Sequence, residues 1–291
     1  MIIIKFIKDN IKSIREKIER GEKKFNLKVG TNGYISCYYR GSGTFGIAIK
    51  VTNNTNFNAE ISIGSSMTLK LMKKLSGEPY KIIELSKTIR SLKNKYIINK
   101  YITNVLNVDL NEGLIFLDYI EGNTLDEYLK NNSINQTKLN LFLIKSLLCV
   151  KVFHNILKYG HRDIKLQNII YNPKNGIMKL IDYGFICKLK DKKCKNKYQG
   201  TGKYIHPDMN KKYLTKKRNN NYILPDTISQ DLFSIVIMML KIYIYSEQNQ
   251  KGGSSSNEES ITESSSTFSN NNLLKNTRKY NERLLDIIGG Y

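Results

Sequence analysis

The stretch that most limits what this chain can become is His161-Arg162-Asp163-Ile164-Lys165-Leu166-Gln167-Asn168, followed after an apolar run by Asp182-Tyr183-Gly184. It puts a carboxylate, an ammonium and a carboxamide within eight residues, and then a second carboxylate beside a glycine. Residues 138–158 lead into it with a mostly apolar helical pattern (Leu139, Leu143, Leu147, Leu148, Val152, Phe153). Ile169-Ile170-Tyr171 and Met178-Lys179-Leu180-Ile181 leave it as two short strands around an Asn-Pro turn. That arrangement places Asn168 and Asp182 at the ends of neighbouring strands, facing one cleft. His154, within the helical pattern, reads as a packing residue rather than a ligand.

Moving a phosphoryl group requires a group to orient the attacking hydroxyl, a cation near the transferred phosphate, and oxygen ligands for magnesium. Both segments together supply all of these. H-R-D-x-K-x-x-N followed by D-Y-G resembles the catalytic loop and metal-binding loop of the eukaryotic-type protein kinase family. The resemblance runs over roughly residues 25–240 and includes an apolar strand and hinge at 114–122. It also takes in Gly200-Thr201-Gly202-Lys203-Tyr204-Ile205-His206-Pro207-Asp208, similar to the family's G-T-x-x-Y-x-x-P-E, and Ser229-Gln230-Asp231 opening an apolar helix like the family's helix F. In that helix the position of Asp231 implies bonds to the catalytic-loop backbone, and Thr201 is expected to touch Asp163 and Lys165.

The implied fold is α+β and bilobal: a small antiparallel β-sheet N-lobe at 25–117 and a mainly helical C-lobe at 118–291, with a Ser/Asn-rich stretch at 247–272 reading as a flexible insertion. The C-lobe is shortened, and Arg278 or Arg283 stands in for the arginine that pairs with the residue at Asp208. Ahead of the lobes, residues 1–24 hold a basic amphipathic helix with Ile4, Ile7, Ile11, Ile14 and Ile18 on one stripe. Its stripe suits packing on the adjacent small lobe; a membrane or a partner is the other use.

Two glycine-rich pieces compete for the phosphate loop. Gly41-Ser42-Gly43-Thr44-Phe45-Gly46 is a literal G-x-G-x-x-G, but it runs directly into Ile47-Ala48-Ile49-Lys50, which resembles the family's V-A-I-K strand. Val29-Gly30-Thr31-Asn32-Gly33-Tyr34-Ile35-Ser36-Cys37 lies one hairpin earlier and is preferred, with Gly41 to Gly43 as the turn joining the second and third strands. The resemblance then implies nucleotide contacts from Val29, Gly30, Cys37, Ala48 and Lys50. Lys50 is expected to pair with Glu84 on the next helix, Glu60 being the runner-up. Asp118 and Ile120 would hydrogen-bond adenine through their backbone, behind Leu117 at the gatekeeper-like position. Asp163 and Lys165 become the catalytic pair, and Asn168 and Asp182 the ligands of Mg2+ or Mn2+ alongside ATP.

The net charge of +22 comes from 47 Lys and Arg against 25 Asp and Glu. It favours acidic partners: acidic protein substrates, nucleic acid or an anionic membrane. A codon bias towards Lys, Asn, Ile and Tyr would produce the same excess. Lys188, Lys190, Lys192, Lys193, Lys195 and Lys197 crowd the segment after Asp182, whose only hydroxyl between Phe185 and Gly200 is Tyr198; the segment reads as one that needs no phosphorylation. The four cysteines show no C-x-x-C spacing, which favours free thiols in an intracellular, cytoplasmic or nuclear setting over a disulfide framework or zinc site. No run reads as a transmembrane helix, and Met1–Ile4 is too short for a signal-peptide core. The expected activity is serine/threonine protein phosphorylation. Asn32 and Ile35, standing where the family has loop glycines, support the alternative of a pseudokinase scaffold. A kinase of small molecules or lipids fits Thr201–Pro207 and helix F less well.

Overall fold

Alternation at period two organises the small lobe. In the computed structural model, which describes residues 2–43, 46–55, 64–73, 77–93, 95–191, 199–207 and 226–251, six strands form one antiparallel sheet. They are β1 (Lys24–Val29), β2 (Gly33–Ser42), β3 (Gly46–Asn53), β4 (Ser66–Met72), β5 (Val105–Asp109) and β6 (Leu114–Asp118), in the spatial order β1-β2-β3-β4-β6-β5. Ile49 and Val51 of β3 and Met67, Leu69 and Leu71 of β4 are buried on one face. The intervening Ala48, Lys50 and Thr52, and Thr68 and Lys70, therefore line the other face, because successive side chains point to opposite sides.

The buried face is covered by the N-terminus. Helices α1 (Ile2–Asp9) and α2 (Ile11–Glu19) break at Asn10 and lay Ile3, Ile4, Ile7, Ile11 and Ile14 onto Ile35, Cys37, Ile49, Leu69, Leu114 and Phe116. Lys8 pairs with Asp109 at 2.7 Å and Arg15 donates to the Glu112 carbonyl at 2.8 Å, fixing the helices over the far edge of the sheet. The isoleucine stripe thus serves the protein's own small lobe. It forms two short helices rather than one.

Helix α3 (Glu78–Ser91), opened by Pro79 in its first turn, packs Ile82, Leu85 and Ile89 into a second core that runs into the large lobe. Residues 95–101 form a further helix, α4 (Lys95–Tyr101), ahead of β5. Beyond the hinge lie α5 (Leu125–Lys130), capped by Thr124 and Glu127 in a reciprocal capping box, and α6 (Gln136–Lys151), which continues as a π-helical turn at Val152–Leu157. The buried side of α6 carries Phe142, Ser146, Cys149 and Val150, while Leu143, Leu147 and Leu148 stay partly exposed. Helix α7 (Thr227–Lys251) runs past Leu240 into the stretch expected to be flexible; residues 252–272 lie outside the described residues, as do Arg278 and Arg283.

Two further expectations change. Gln136–Leu157 and Thr227–Ser246 are both long and apolar enough to cross a membrane by length and composition. Each also supplies the core around the catalytic loop, through Phe153 and Ile235 among others. Cys37 and Cys149 are free and buried, but Cys187 is disulfide-bonded, and Cys194 lies outside the described residues. Burial pushes both free thiols up to about 12, which keeps them protonated and unreactive.

Candidate active site

The loop from His161 to Asn168 is held from below by one carboxylate. Asp231 of α7 is fully buried and accepts the backbone N–H groups of His161 (2.8 Å) and Arg162 (2.7 Å), and it meets His154 Nε2 at 2.8 Å. Arg162 is thereby kept at a φ of 68°, a region an arginine rarely occupies. The His161 ring stands edge-on to Phe153 and Tyr183; its Nε2 faces the Ile181 carbonyl at 3.1 Å and its Nδ1 accepts from Asp163 N–H at 3.3 Å. Burial holds His161 below the usual histidine range, which fits the neutral ring that this pairing needs. Replacing Asp231 with Ala strands two buried N–H groups and His154, and should cost about 2–5 kcal/mol in chemical denaturation.

Strands β7 (Ile169–Tyr171) and β8 (Met178–Leu180) pair as expected and bring the two motif segments together, with Ile181 N–H bonding the Asn168 carbonyl at 2.8 Å. Asp163 is buried and takes four donors on its two oxygens. Oδ1 accepts from Thr201 N–H (2.8 Å) and Thr201 Oγ1 (2.7 Å); Oδ2 accepts from Lys165 Nζ (2.8 Å) and Asn168 Nδ2 (2.9 Å). Lys165 also donates to Thr201 Oγ1 at 2.8 Å. The approach of Thr201 depends on Gly200: a Cβ there would lie 2.3 Å from the Arg162 carbonyl oxygen, and its φ is +118°.

The upper half of the cleft is built from residues other than those expected. Lys70 of β4, not Lys50, reaches the second motif: its Nζ lies 2.6 Å from Glu78 Oε1 and 2.9 Å from Asp182 Oδ1. Burial favours a neutral Lys70, but the two carboxylates outweigh it and hold its pKa above the ordinary lysine value. For Asp182, burial opposes ionisation, yet Lys70 prevails and its pKa falls below the ordinary carboxylate value. Glu78 shifts upward instead, because burial is not fully compensated by a lysine it must share. Helix α3 is tied to the same place by Lys81 Nζ on the Gly184 carbonyl at 2.6 Å.

Lys50 sits one strand away on the same face, its Nζ 4.3 Å from the Tyr119 ring centroid at the hinge. Glu84 faces outward and pairs with Lys188 at 2.6 Å, both about half exposed; Glu60 lies outside the described residues. Cys37 belongs to the outer core under α1 and α2, and Val29 packs against that core too. Gly30 lies in the β1–β2 turn. Cys37 and Val29 are therefore turned away from the cleft face. The reason is one extra strand: β1 sits at the sheet edge, so the hairpin next to the Lys70 strand is β2–β3, in which β2 ends at Ser42 and β3 begins at Gly46. Gly46 has no room for a side chain, since a Cβ would lie 2.1 Å from the Leu71 carbonyl oxygen. Ala48, paired with Lys70 across the sheet, does stand on the cleft face; Asp118 ends β6, and Ile120 follows it in the connection to the large lobe. Lys70 and Glu78 were the missed positions; the signal for them was the literal G-x-G-x-x-G and a lone lysine within the apolar run Met67–Met72.

The donor set suits a hard divalent cation. Asn168 Nδ2 is committed to the carbonyl and carboxylate of Asp163, which turns its Oδ1 the other way, and Asp182 engages Lys70 through Oδ1 alone. Two oxygens match magnesium, which completes its shell from water and phosphate rather than from a protein cage. Among the described residues no group of three or more His, Cys, Asp or Glu could form such a cage.

Comparison with known proteins agrees with this geometry. A family profile described as "Protein kinase domain" matches residues 29–290. The chain is similar to "Probable serine/threonine-protein kinase fnkB" of Dictyostelium discoideum, at 32% identity over 125 residues, 38% of this chain and 23% of that protein. It is also similar to "Serine/threonine-protein kinase max-2" of Caenorhabditis elegans, at 26% over 157 residues, 53% of this chain and 22% of that protein. A third is "cAMP-dependent protein kinase catalytic subunit PRKX" of Homo sapiens, at 29% over 98 residues, 33% of this chain and 26% of that protein. The matches span about a quarter of these relatives' lengths. With the profile covering most of its length and the bilobal fold in place, this chain belongs to the protein kinase family.

Proposed function

We propose that this chain is a serine/threonine protein kinase that transfers the γ-phosphoryl group of ATP to hydroxyl groups of protein substrates. The observation that carries the reading is Lys70, held between Glu78 of the small lobe and Asp182 of the large one. That contact assembles the phosphate-facing cation, the metal-facing carboxylate and the Asp163 network in one cleft. The serine/threonine names of the relatives and the bridge from Lys165 to Thr201 support the choice of acceptor.

In this reading Lys70 orients the α- and β-phosphates, and Asn168 Oδ1 and Asp182 hold the divalent cation. That cation, when bound, neutralises charge on the phosphate oxygens. A carboxylate has about four lone-pair sites, and Asp163 already fills that number with Thr201, Lys165 and Asn168. An incoming hydroxyl must therefore displace a donor. Lys165 is the one on a flexible stem: it moves from Oδ2 to the transferring phosphoryl group, where its charge is useful, and vacates the site at which Asp163 receives the hydroxyl proton.

The scaffold alternative drew on Asn32 and Ile35 as phosphate-loop positions. Ile35 belongs instead to the buried outer core of the sheet, so that argument falls away. The test is transfer from γ-labelled ATP, with magnesium or manganese, to one acidic and one basic protein. Label recovered on Ser or Thr is expected; no transfer by the wild-type chain with either metal overturns the reading.

A further inference from the structure

Beside the Asp163–Thr201 contact, Lys203 and Lys241 stand close enough to repel one another. Tyr204, in the turn that follows Thr201, is buried, and its backbone N–H bonds the Thr201 carbonyl at 2.8 Å. Lys241 of α7 lies over the Tyr204 ring, its Nζ 3.8 Å from the centroid. Lys203, exposed in the same turn, repels it. Among the described residues neither lysine joins a salt bridge. Asp126 is the acidic group nearby, and it is already engaged by Lys130 at 3.0 Å and by Gln167 Nε2 at 2.7 Å.

Burial is the larger influence on Lys241 and the Lys203 charge adds to it, so the Lys241 pKa is lowered. An anion between the two ammonium groups would relieve both effects. The stacking on Tyr204 meanwhile fixes where Lys241 points. Because the Tyr204 backbone is tied to the Thr201 carbonyl on one side and to Ser234 Oγ of α7 on the other, the pair sits at a set distance from the carboxylate that receives the substrate hydroxyl.

We infer that Lys203 and Lys241 form a cationic subsite that takes an anionic side chain, a carboxylate or a phosphate, close in sequence to the accepting Ser or Thr. The inference rests on the protein kinase reading and names its substrate class. It places the selection for acidic targets at the cleft floor, on residues distinct from the lysines of the segment after Asp182.

The test uses fluorescein-labelled peptides with one Ser acceptor on a Gly/Ala scaffold, flanked by Glu, by phosphoserine or by Lys. Each is followed both for phosphate transfer and for binding by anisotropy, with wild type, Lys203→Glu, Lys241→Glu and Lys241→Arg. Wild type should favour anionic over cationic flanks by about tenfold, a preference that weakens at high salt. Either charge reversal should erase or invert it, and Lys241→Arg should keep it. The Glu and phosphoserine arms show which anion is preferred. Equal handling of anionic and cationic peptides by wild type, or a preference that survives both reversals, overturns the subsite. Selective, lysine-dependent binding without transfer would sustain the subsite and sink the kinase reading; transfer without charge selectivity would do the opposite.

Discussion

Asp163→Asn should lower the rate of phosphoryl transfer by about 10²–10⁴-fold while leaving nucleotide binding close to wild type. The asparagine keeps an oxygen for the two Thr201 donors, so the floor of the cleft stays in place. Its amide nitrogen, however, now stands where Oδ2 received Lys165 and Asn168. Donor faces donor, Lys165 is released, and no group remains to receive the hydroxyl proton. Lys70 and Asp182 are untouched, which is why ATP affinity is the control. Single-turnover transfer and titration with a fluorescent nucleotide separate the two effects. Transfer at the wild-type rate would remove Asp163 from the mechanism; loss of nucleotide binding in step with transfer would show that the substitution had disturbed the cleft as a whole.

The lower half of this site was legible in the sequence because it is local. Asp163, Lys165, Asn168 and Asp182 lie within one loop and one hairpin, and Asp231 and Thr201 were recognisable by their own flanking motifs. Short spacings translate into geometry with few alternatives. The upper half was not legible because it depends on counting strands. Ile47-Ala48-Ile49-Lys50 and Met67-Thr68-Leu69-Lys70 both put a lysine in the middle of an alternating strand, and both lysines end on the same face. What separates them is which strand lies beside β6 and leads into α3, a matter of pairing across the sheet that β1 and the long β3–β4 connection obscured. The isoleucine stripe of the N-terminus shows the same division. Its amphipathic character and its packing on the neighbouring lobe followed from the spacing, while the break at Asn10 and the face of the sheet that receives it depend on the strand order.

Lys70→Met should reduce transfer by at least about 10²-fold, whereas Lys50→Met should stay within a few-fold of wild type. Among the described residues Lys50 gives up only its contact with Tyr119, a cation–π interaction worth about 0.5–1 kcal/mol where exposed. Lys70 is the sole link between Glu78 and Asp182 among the described hydrogen bonds, so its removal leaves Glu78 buried without that cation. Breaking such a pair costs about 3–5 kcal/mol. The pH dependence gives the sign. Burial already lifts the Glu78 pKa, and losing Lys70 removes the main opposing influence, so the folded variant binds more protons than its unfolded chain above the ordinary glutamate range. Stability of Lys70→Met therefore falls as pH rises through and above the ordinary glutamate range. Adding Glu78→Gln should restore most of the stability and flatten that slope, because the amide needs no counter-ion. It should not restore transfer, since the phosphate-facing cation is still missing. Denaturant titrations across pH, read beside transfer rates, test both halves at once. A double variant as unstable as the single one would mean that Glu78 is not the group Lys70 holds in place, and a transfer-competent Lys70→Met would return Lys50 to candidacy.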